Sequence, residues 1–281
     1  MQYAVNIFTP TNYKHSQVFE EVQTLIVEGL NTLGHNAVKS NVYDDPKRRN
    51  IILGGNLINL QSQERFTKLK FKNDGIFINL ERFGHDAFNE QYLNILRNYE
   101  IWDFSQINLK RINELYNLKI KFYLPLGYTS KLETINKTVK KEIDILFVGS
   151  LSQRRKLLLQ KIADLGIKVR YLFGVYGQKR DEIISKTKLM LNIHYHDQGS
   201  LEHARIFYYL INQKPVLSES SDILDENIEW SNAISLTSYD NLPYKALALL
   251  QNEKELTNFA NNGYTFIKKQ KFLEILKKNL A

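Results

Sequence analysis

From Lys141 to Glu219 the chain gathers side chains suited to holding a phosphate. Asp144-Ile-Leu-Phe-Val148 is the apolar run of a buried strand, and it turns at Gly149-Ser150-Leu-Ser152 into a helical pattern headed by Arg154, Arg155 and Lys156. A small-residue turn in that place leaves backbone N–H groups pointing outward at the positive end of a helix dipole, where an anion is stabilised. Two arginines on the first helical turn add charge and forked donors, so the stretch reads as a pocket for the diphosphate of a nucleotide-activated substrate. The bland alternative is a solvated helix face, which is how most charge runs behave. Placement directly behind a buried strand and a Gly-Ser turn favours the phosphate. Neither the Gly-x-Gly-x-x-Gly of dinucleotide folds nor the Gly-Lys-Ser/Thr ending of a P-loop occurs.

The stretch closes with Arg205-Ile-Phe-Tyr-Tyr-Leu-Ile-Asn-Gln-Lys-Pro-Val-Leu-Ser-Glu219, a helix, a turn and a short strand. Glu202 and Arg205 share one helical face. Either they form an ion pair within the helix, or Arg205 faces a phosphate while Glu202 meets a sugar or ribose hydroxyl. Glu219 is a carboxylate at a strand tip, able to hold a hydroxyl pair, and Tyr176 stands in the turn behind the strand at 168–174. His194 and His196 are two apart at a strand end, near Asp197 and His203, so they share a face. A metal there would need further ligands from a loop; a histidine hydrogen-bonding a ligand, or packing in the crevice, asks for less.

Three groups in the first half stand at or near strand ends. Glu81 follows Ile76-Phe-Ile-Asn-Leu, Asp103 stands in Glu100-Ile-Trp-Asp103-Phe-Ser105, and His15 sits beside Ser16 where the first loop meets the first helix. Carboxyl ends of strands are where open α/β sheets bind ligands. The bland readings are a solvated Glu81, Ser16 as a helix cap with His15 merely exposed, and Trp102 in the core.

The elements that must place these groups alternate throughout. A β-rich opening at 3–8 leads through a loop into a helix with Val18, Val22, Leu25, Ile26 and Leu30 at helical spacing, then Gly34 and a second strand. Arg49-Asn-Ile-Ile-Leu-Gly54-Gly55 is a further short strand ending in a tight turn, and strand and helix units recur to the end. The expected organisation is an N-terminal Rossmann-like domain over 1–130, a polar, lysine-rich linker over 131–141, and a C-terminal Rossmann-like domain with terminal helices over 142–281.

A chain of 281 residues suits two such domains, and 43 % hydrophobic with 24 % charged residues is ordinary for a folded protein. Cysteine is absent, which excludes disulfides and thiolate zinc and points to a reducing, cytoplasmic setting. The opening residues lack the head and apolar run of a signal peptide, and no window approaches a spanning helix. The net charge of +8 admits nucleic acid, an anionic membrane face or anionic small molecules. No nucleic-acid reader signature accompanies it, so nucleic acid is set aside, while peripheral contact with anionic lipid would suit a lipid-linked acceptor.

With these residues in place, the chain resembles the two-domain glycosyltransferases of GT-B architecture, especially short bacterial members of the family 1/4-like, surface-polysaccharide type. Phe147-Val-Gly-Ser150 with Arg154 and Arg155 is similar to their donor-phosphate loop, and 205–219 to their nucleotide-sugar segment; Asn79-Leu-Glu81 and Trp102-Asp-Phe-Ser105 with Asn108 also resemble segments of the short members. Two departures stand out: Tyr208 occupies the place of a glutamate that meets the donor ribose, and Gln213 that of a glycine before Lys-Pro.

The resemblance implies an α/β fold of two Rossmann-like domains facing each other across a cleft. The C-terminal half would bind a nucleotide sugar and the N-terminal half a glycan or lipid-linked acceptor. Arg154, Arg155 and Arg205 would stabilise the leaving phosphate in place of a metal, and no cofactor beyond the donor is expected. Gly149, Ser150, Tyr176, His194, Glu202 and Glu219 complete the expected donor set. Glu81, His15 and Asp103 are the candidate bases, with no metal ligands. A sugar-nucleotide epimerase or hydrolase and a non-catalytic two-lobed binding protein are the competing readings.

Overall fold

The computed structural model describes residues 1–281 except 61–73, 85 and 198. The chain divides into two compact units, Met1–Lys131 with Gln270–Ala281, and Leu132–Lys269.

In the first unit the described strands are β1 (Gln2–Ile7), β2 (Asn36–Ser40), β3 (Arg49–Leu53), β4 (Ile76–Asn79), β5 (Glu100–Asp103) and β6 (Phe122–Tyr123). They form one parallel sheet in the order β2-β1-β3-β4-β5-β6. Ile51 to Leu53 and Ile76 to Ile78 are buried, as strands covered on both faces require. Helices α1 (Glu20–Thr32), α2 (Glu90–Asn98) and α3 (Gln106–Tyr116) join them. Asn89 caps α2 by accepting from the Gln91 and Tyr92 N–H groups, and Ser105 caps α3 by accepting from Asn108 N–H at 3.3 Å. Trp102 is fully buried, donating to Glu100 at 2.8 Å, so it belongs to the core.

The second unit repeats the plan. Strands β7 (Ile143–Val148), β8 (Val169–Leu172), β9 (Thr187–Asn192), β10 (Val216–Glu219) and β11 (Ser235–Thr237) form a parallel sheet in the order β11-β10-β9-β7-β8. Helices α4 (Gln153–Asp164), α5 (Gly177–Ser185), α6 (His203–Ile211), α7 (Leu224–Trp230), α8 (Leu242–Leu250) and α9 (Glu253–Lys269) follow. Ile145, Phe147, Leu158, Ile162, Leu189, Leu191 and Leu217 share its core.

The linker and terminal assignments need correction. Residues 132–141 fold with the second unit. The Thr134 and Ile135 N–H groups both donate to Asn212 Oδ1 at 3.0 Å, so a polar stretch that looks like a spacer is held by side-chain hydrogen bonds. The last helix, α10 (Phe272–Asn279), belongs to the first unit. Its Phe272 and Leu276 are buried against Gly29 of α1, where a Cβ would lie 2.6 Å from the Phe272 ring, and at Gly127 a Cβ would lie 2.4 Å from Phe272 Cβ.

Because every pairing is parallel, the loops after the strands of each sheet gather along its carboxyl edge. In the first sheet these loops carry His15, Asn56, Glu81 and the residues after Asp103; in the second they carry Gly149 to Arg155, Tyr176, His194 and Glu219.

Candidate functional site

At the carboxyl edge of the second sheet, β7 ends at Val148 and Gly149 takes φ +153 before Ser152 caps α4, accepting from Arg155 N–H at 3.3 Å. A side chain at Gly149 would be strained at this φ, and its Cβ would lie 2.9 Å from Arg205 Nη2, so the turn favours glycine beside that guanidinium. The turn's amides are not all turned outward as expected. Gly149 N–H donates to Leu172 O at 2.9 Å and continues the ladder with β8.

The two adjacent arginines divide. Arg154 keeps 15 % of its side chain exposed and grips Glu219 with both terminal nitrogens, Nη1 reaching Oε2 at 2.8 Å and Nη2 reaching Oε1. Its Nε donates to Asp197 at 2.9 Å, and its guanidinium lies 3.8 Å from the centre of the Tyr239 ring. Arg155, by contrast, is 1 % exposed. It donates to Ile193 O at 3.0 and 2.6 Å, to Ser150 O at 2.9 Å and to Glu202 at 2.8 Å. The expectation that Arg155 faces a phosphate is therefore corrected: its guanidinium points inward and ties the turn after β7 to the end of β9.

Glu202 stands at the start of α6 between two cations, Arg155 and Arg205, and Arg205 also donates to Asn192 Oδ1 at 3.0 Å. Arg205 keeps 23 % of its side chain exposed. Arg205 is thus held in the ion pair with part of its side chain still exposed, whereas both oxygens of Glu202 are engaged. His194 is buried beside Glu219: its N–H donates to Oε2 at 3.1 Å and its carbonyl accepts from Arg154 at 3.3 Å. His203 pairs with Glu226 at 2.8 Å, and His196 is exposed against the Tyr195 ring, so the histidines do not converge. Among the described residues no group of three or more His, Asp or Glu could hold a metal ion. Tyr176 lies in the loop between β8 and α5, half-buried at the N-terminus of α5.

The two departures have physical accounts. Tyr208, on α6, shares hydrogen bonds of 2.7 Å with Asp181 of α5 and with Thr134, and its ring packs under Arg180. Burial raises its pKa, so the hydroxyl stays protonated and ties α5, α6 and the 132–135 segment together. Gln213 adopts φ +51 past the end of α6, the left-handed turn for which glycine is the usual residue, and Lys137 donates to its side chain at 2.5 Å.

At the first sheet's carboxyl edge the three candidate bases differ in burial and in partners. Glu81 is half-buried, and its Oε1 accepts from Asn56 Nδ2 at 2.5 Å. His15 packs edge-on to Tyr13, whose hydroxyl pKa is raised by burial and by the Glu81 charge. Ser16 accepts from Thr9 at 3.0 Å and donates to Tyr13 O, bracing the loop. Asp103 is fully buried, so it is corrected from a base facing substrate to an interior acceptor; burial pushes its pKa up to about 7.

Sequence reasoning missed Asn56, Asn192, Tyr239 and Tyr13 as partners of these groups. Amides just behind an apolar run, as at Asn56 and Asn192, were the available signal.

No protein-family model matches the chain. Two uncharacterized proteins of Acanthamoeba polyphaga mimivirus are similar in sequence: one is 31 % identical over 201 residues, 66 % of this chain and 26 % of that protein. The other is 28 % identical over 189 residues, covering 66 % of this chain and 62 % of that one. The matches thus span less than two thirds of either relative, and both relatives are viral rather than bacterial. Among solved structures, T4 phage β-glucosyltransferase in complex with UDP and Mn2+ superposes with TM-score 0.63 at 14 % identity, covering 99 % of this chain and 98 % of that one. WaaG, a glycosyltransferase involved in lipopolysaccharide biosynthesis, gives 0.59 at 10 % identity with 99 % and 98 % covered. With two parallel sheets matched over nearly its whole length, the chain has the α/β fold of GT-B glycosyltransferases.

Proposed function

We propose that this chain is a glycosyltransferase that holds a nucleotide sugar at the carboxyl edge of its second sheet and a hydroxyl acceptor at that of its first. The observation that carries the reading is the pair of partly exposed guanidiniums, Arg154 and Arg205, set where β7 turns into the N-terminus of α4. Cations and a helix N-terminus together suit a diphosphate. The acceptor oxygen attacks the anomeric carbon, the bond from that carbon to the phosphate oxygen breaks, and its electron pair leaves with the nucleoside diphosphate. Arg154 and Arg205 stabilise the charge that grows there, and they do so without a metal ion. The acceptor proton passes to Glu81, the half-buried carboxylate at the first sheet's edge.

The acceptor is a glycan or lipid-linked saccharide of the surface-polysaccharide kind. The likeness to a lipopolysaccharide enzyme supports this, and the net charge of +8 supports peripheral contact with an anionic membrane from the cytoplasmic side. Among the described residues no helix is long and apolar enough to cross a membrane.

The test is a thermal-shift panel of UDP, GDP, CMP, ADP and dTDP with their common sugars, each with and without EDTA. Binding to the native state raises the midpoint by mass action. The expected result is a rise from one nucleotide class, unchanged by EDTA and lost in Arg154→Ala. A flat panel would overturn the donor site, and a rise abolished by EDTA would overturn the metal-free reading.

A further inference from the structure

The first sheet's carboxyl edge holds a buried polar lattice that the reaction above does not use. Asp103 Oδ2 accepts from Asn79 Nδ2 at 2.6 Å and from Asn108 Nδ2 at 2.9 Å, while Oδ1 accepts from Ser105 N–H at 2.9 Å. The two amides so oriented converge on one turn of backbone. Both Nδ2 groups also donate to the Glu81 carbonyl, at 3.0 and 2.9 Å. Asn79 Oδ1 accepts from Glu81 N–H at 3.1 Å, and Asn108 Oδ1 accepts from Phe83 N–H at 2.8 Å. Tyr92, from α2, donates its hydroxyl to Asn79 Oδ1 at 2.7 Å.

We infer that Asp103, Asn79 and Asn108 are positioning residues that fix the Glu81 peptide, and so aim its carboxylate at the acceptor hydroxyl. The inference rests on the transferase reading. Two observations carry it beyond ordinary turn-holding. Glu81 is pinned at both its N–H and its carbonyl, so the freedom left is in its side chain, whose Oε1 is met by Asn56. The lattice also buries a carboxylate among side-chain amide and backbone N–H donors, an expensive way to close a surface loop that water would satisfy. Every partner that meets Asp103 is a donor, so a proton added there opposes an N–H. Tyr92, from α2, feels the charges of both Asp103 and Glu81.

The experiment compares the full chain with Asp103→Asn, which keeps the shape but turns an amide toward donors. Three readouts are taken: NMR exchange rates of the Glu81 and Phe83 amides, UDP affinity, and release of UDP, GDP or dTDP from UDP-glucose, GDP-mannose or dTDP-glucose in the presence of an oligosaccharide acceptor mixture. The expected result is exchange at least tenfold faster at both amides, kcat lowered at least tenfold, and nucleotide affinity and KM for the donor within twofold. Should Asp103→Asn fail to fold, Asn108→Ala takes its place, leaving the carboxylate two of its partners. Unchanged exchange overturns the lattice, and faster exchange with undiminished kcat overturns its positioning role while leaving the transferase reading standing. Nucleotide release from none of the three sugars by the unmodified chain counts against the transferase reading, and the aim given to Glu81 falls with it.

Discussion

Arg154 and Arg155 are neighbours in sequence and opposites in structure. Successive residues on a helix point about 100° apart, so when one faces the edge of the sheet the other faces its interior. Arg155 is the inward one, and if it were removed the buried Ile193 carbonyl and the Ser150 carbonyl would lose its guanidinium as donor, while Glu202 would keep only Arg205. Breaking a buried ion pair from one side costs about 3 to 5 kcal/mol. Arg155→Ala is therefore expected to lower the free energy of unfolding by that much, measured by urea unfolding, and to weaken nucleotide binding only through the disturbed turn. A stability unchanged within 1 kcal/mol would contradict the inward assignment. Which of the two arginines turns inward was not legible in the sequence, because a basic pair carries no mark of the helix's rotation. Asp103 was misread for a similar reason: a strand-tip carboxylate looks solvent-facing until Ser105 N–H and two amides claim it. The residue types at the strand tips were legible; the direction of each side chain was set jointly by near partners and by ones as distant as Asn79 from Asp103 and Ile193 from Arg155.

At the scale of elements, the strand, turn and helix at 143–164 were legible because three local signals agree there: an apolar run, a glycine turn and a serine cap. Less legible was the lead into β10, where Lys214 is 4 % exposed and sits 3.4 Å from Ser185 O and 3.3 Å from Thr187 O. Burial and the nearby Lys141 charge bring its pKa down to about 7. An unfolded lysine keeps its proton to roughly pH 10.4. Between about pH 7 and that value the unfolded chain binds the extra proton, so stability should rise with pH across the window; below pH 7 the full burial cost is present. Lys214→Met is expected to stabilise the second unit by a few kcal/mol at pH 7, with the gain shrinking toward pH 10. Unfolding curves at pH 7, 8.5 and 10 would check it, and a gain independent of pH would show that the ammonium is solvated after all.

For the molecule as a whole, the last twelve residues matter more than their position suggests, because they complete the first unit rather than the second. Gly29 is the sign that the sequence reading passed over, since a glycine inside a helical pattern is costly unless something packs closely on it. What packs there is Phe272, and no local pattern could connect residues 243 apart in the chain. Phe272 meets a second glycine, Gly127, so two positions without a Cβ form the seat of α10. Gly127→Ala forces a methyl to within 2.4 Å of Phe272 Cβ, and overpacking of this kind costs about 1 to 3 kcal/mol. The clash is with Cβ, so trimming the ring alone cannot relieve it, whereas Phe272→Gly removes the opposing atom. The double variant is then expected to be more stable than the sum of the two singles predicts, by about 1 kcal/mol or more. Hydrogen exchange gives the location: α1 and β6, which receive α10, should lose protection, while α6 and β9 of the second unit keep theirs. Equal loss in both units would mean that α10 is not a private part of the first, and additive single effects would mean that the seat is looser than its glycines imply.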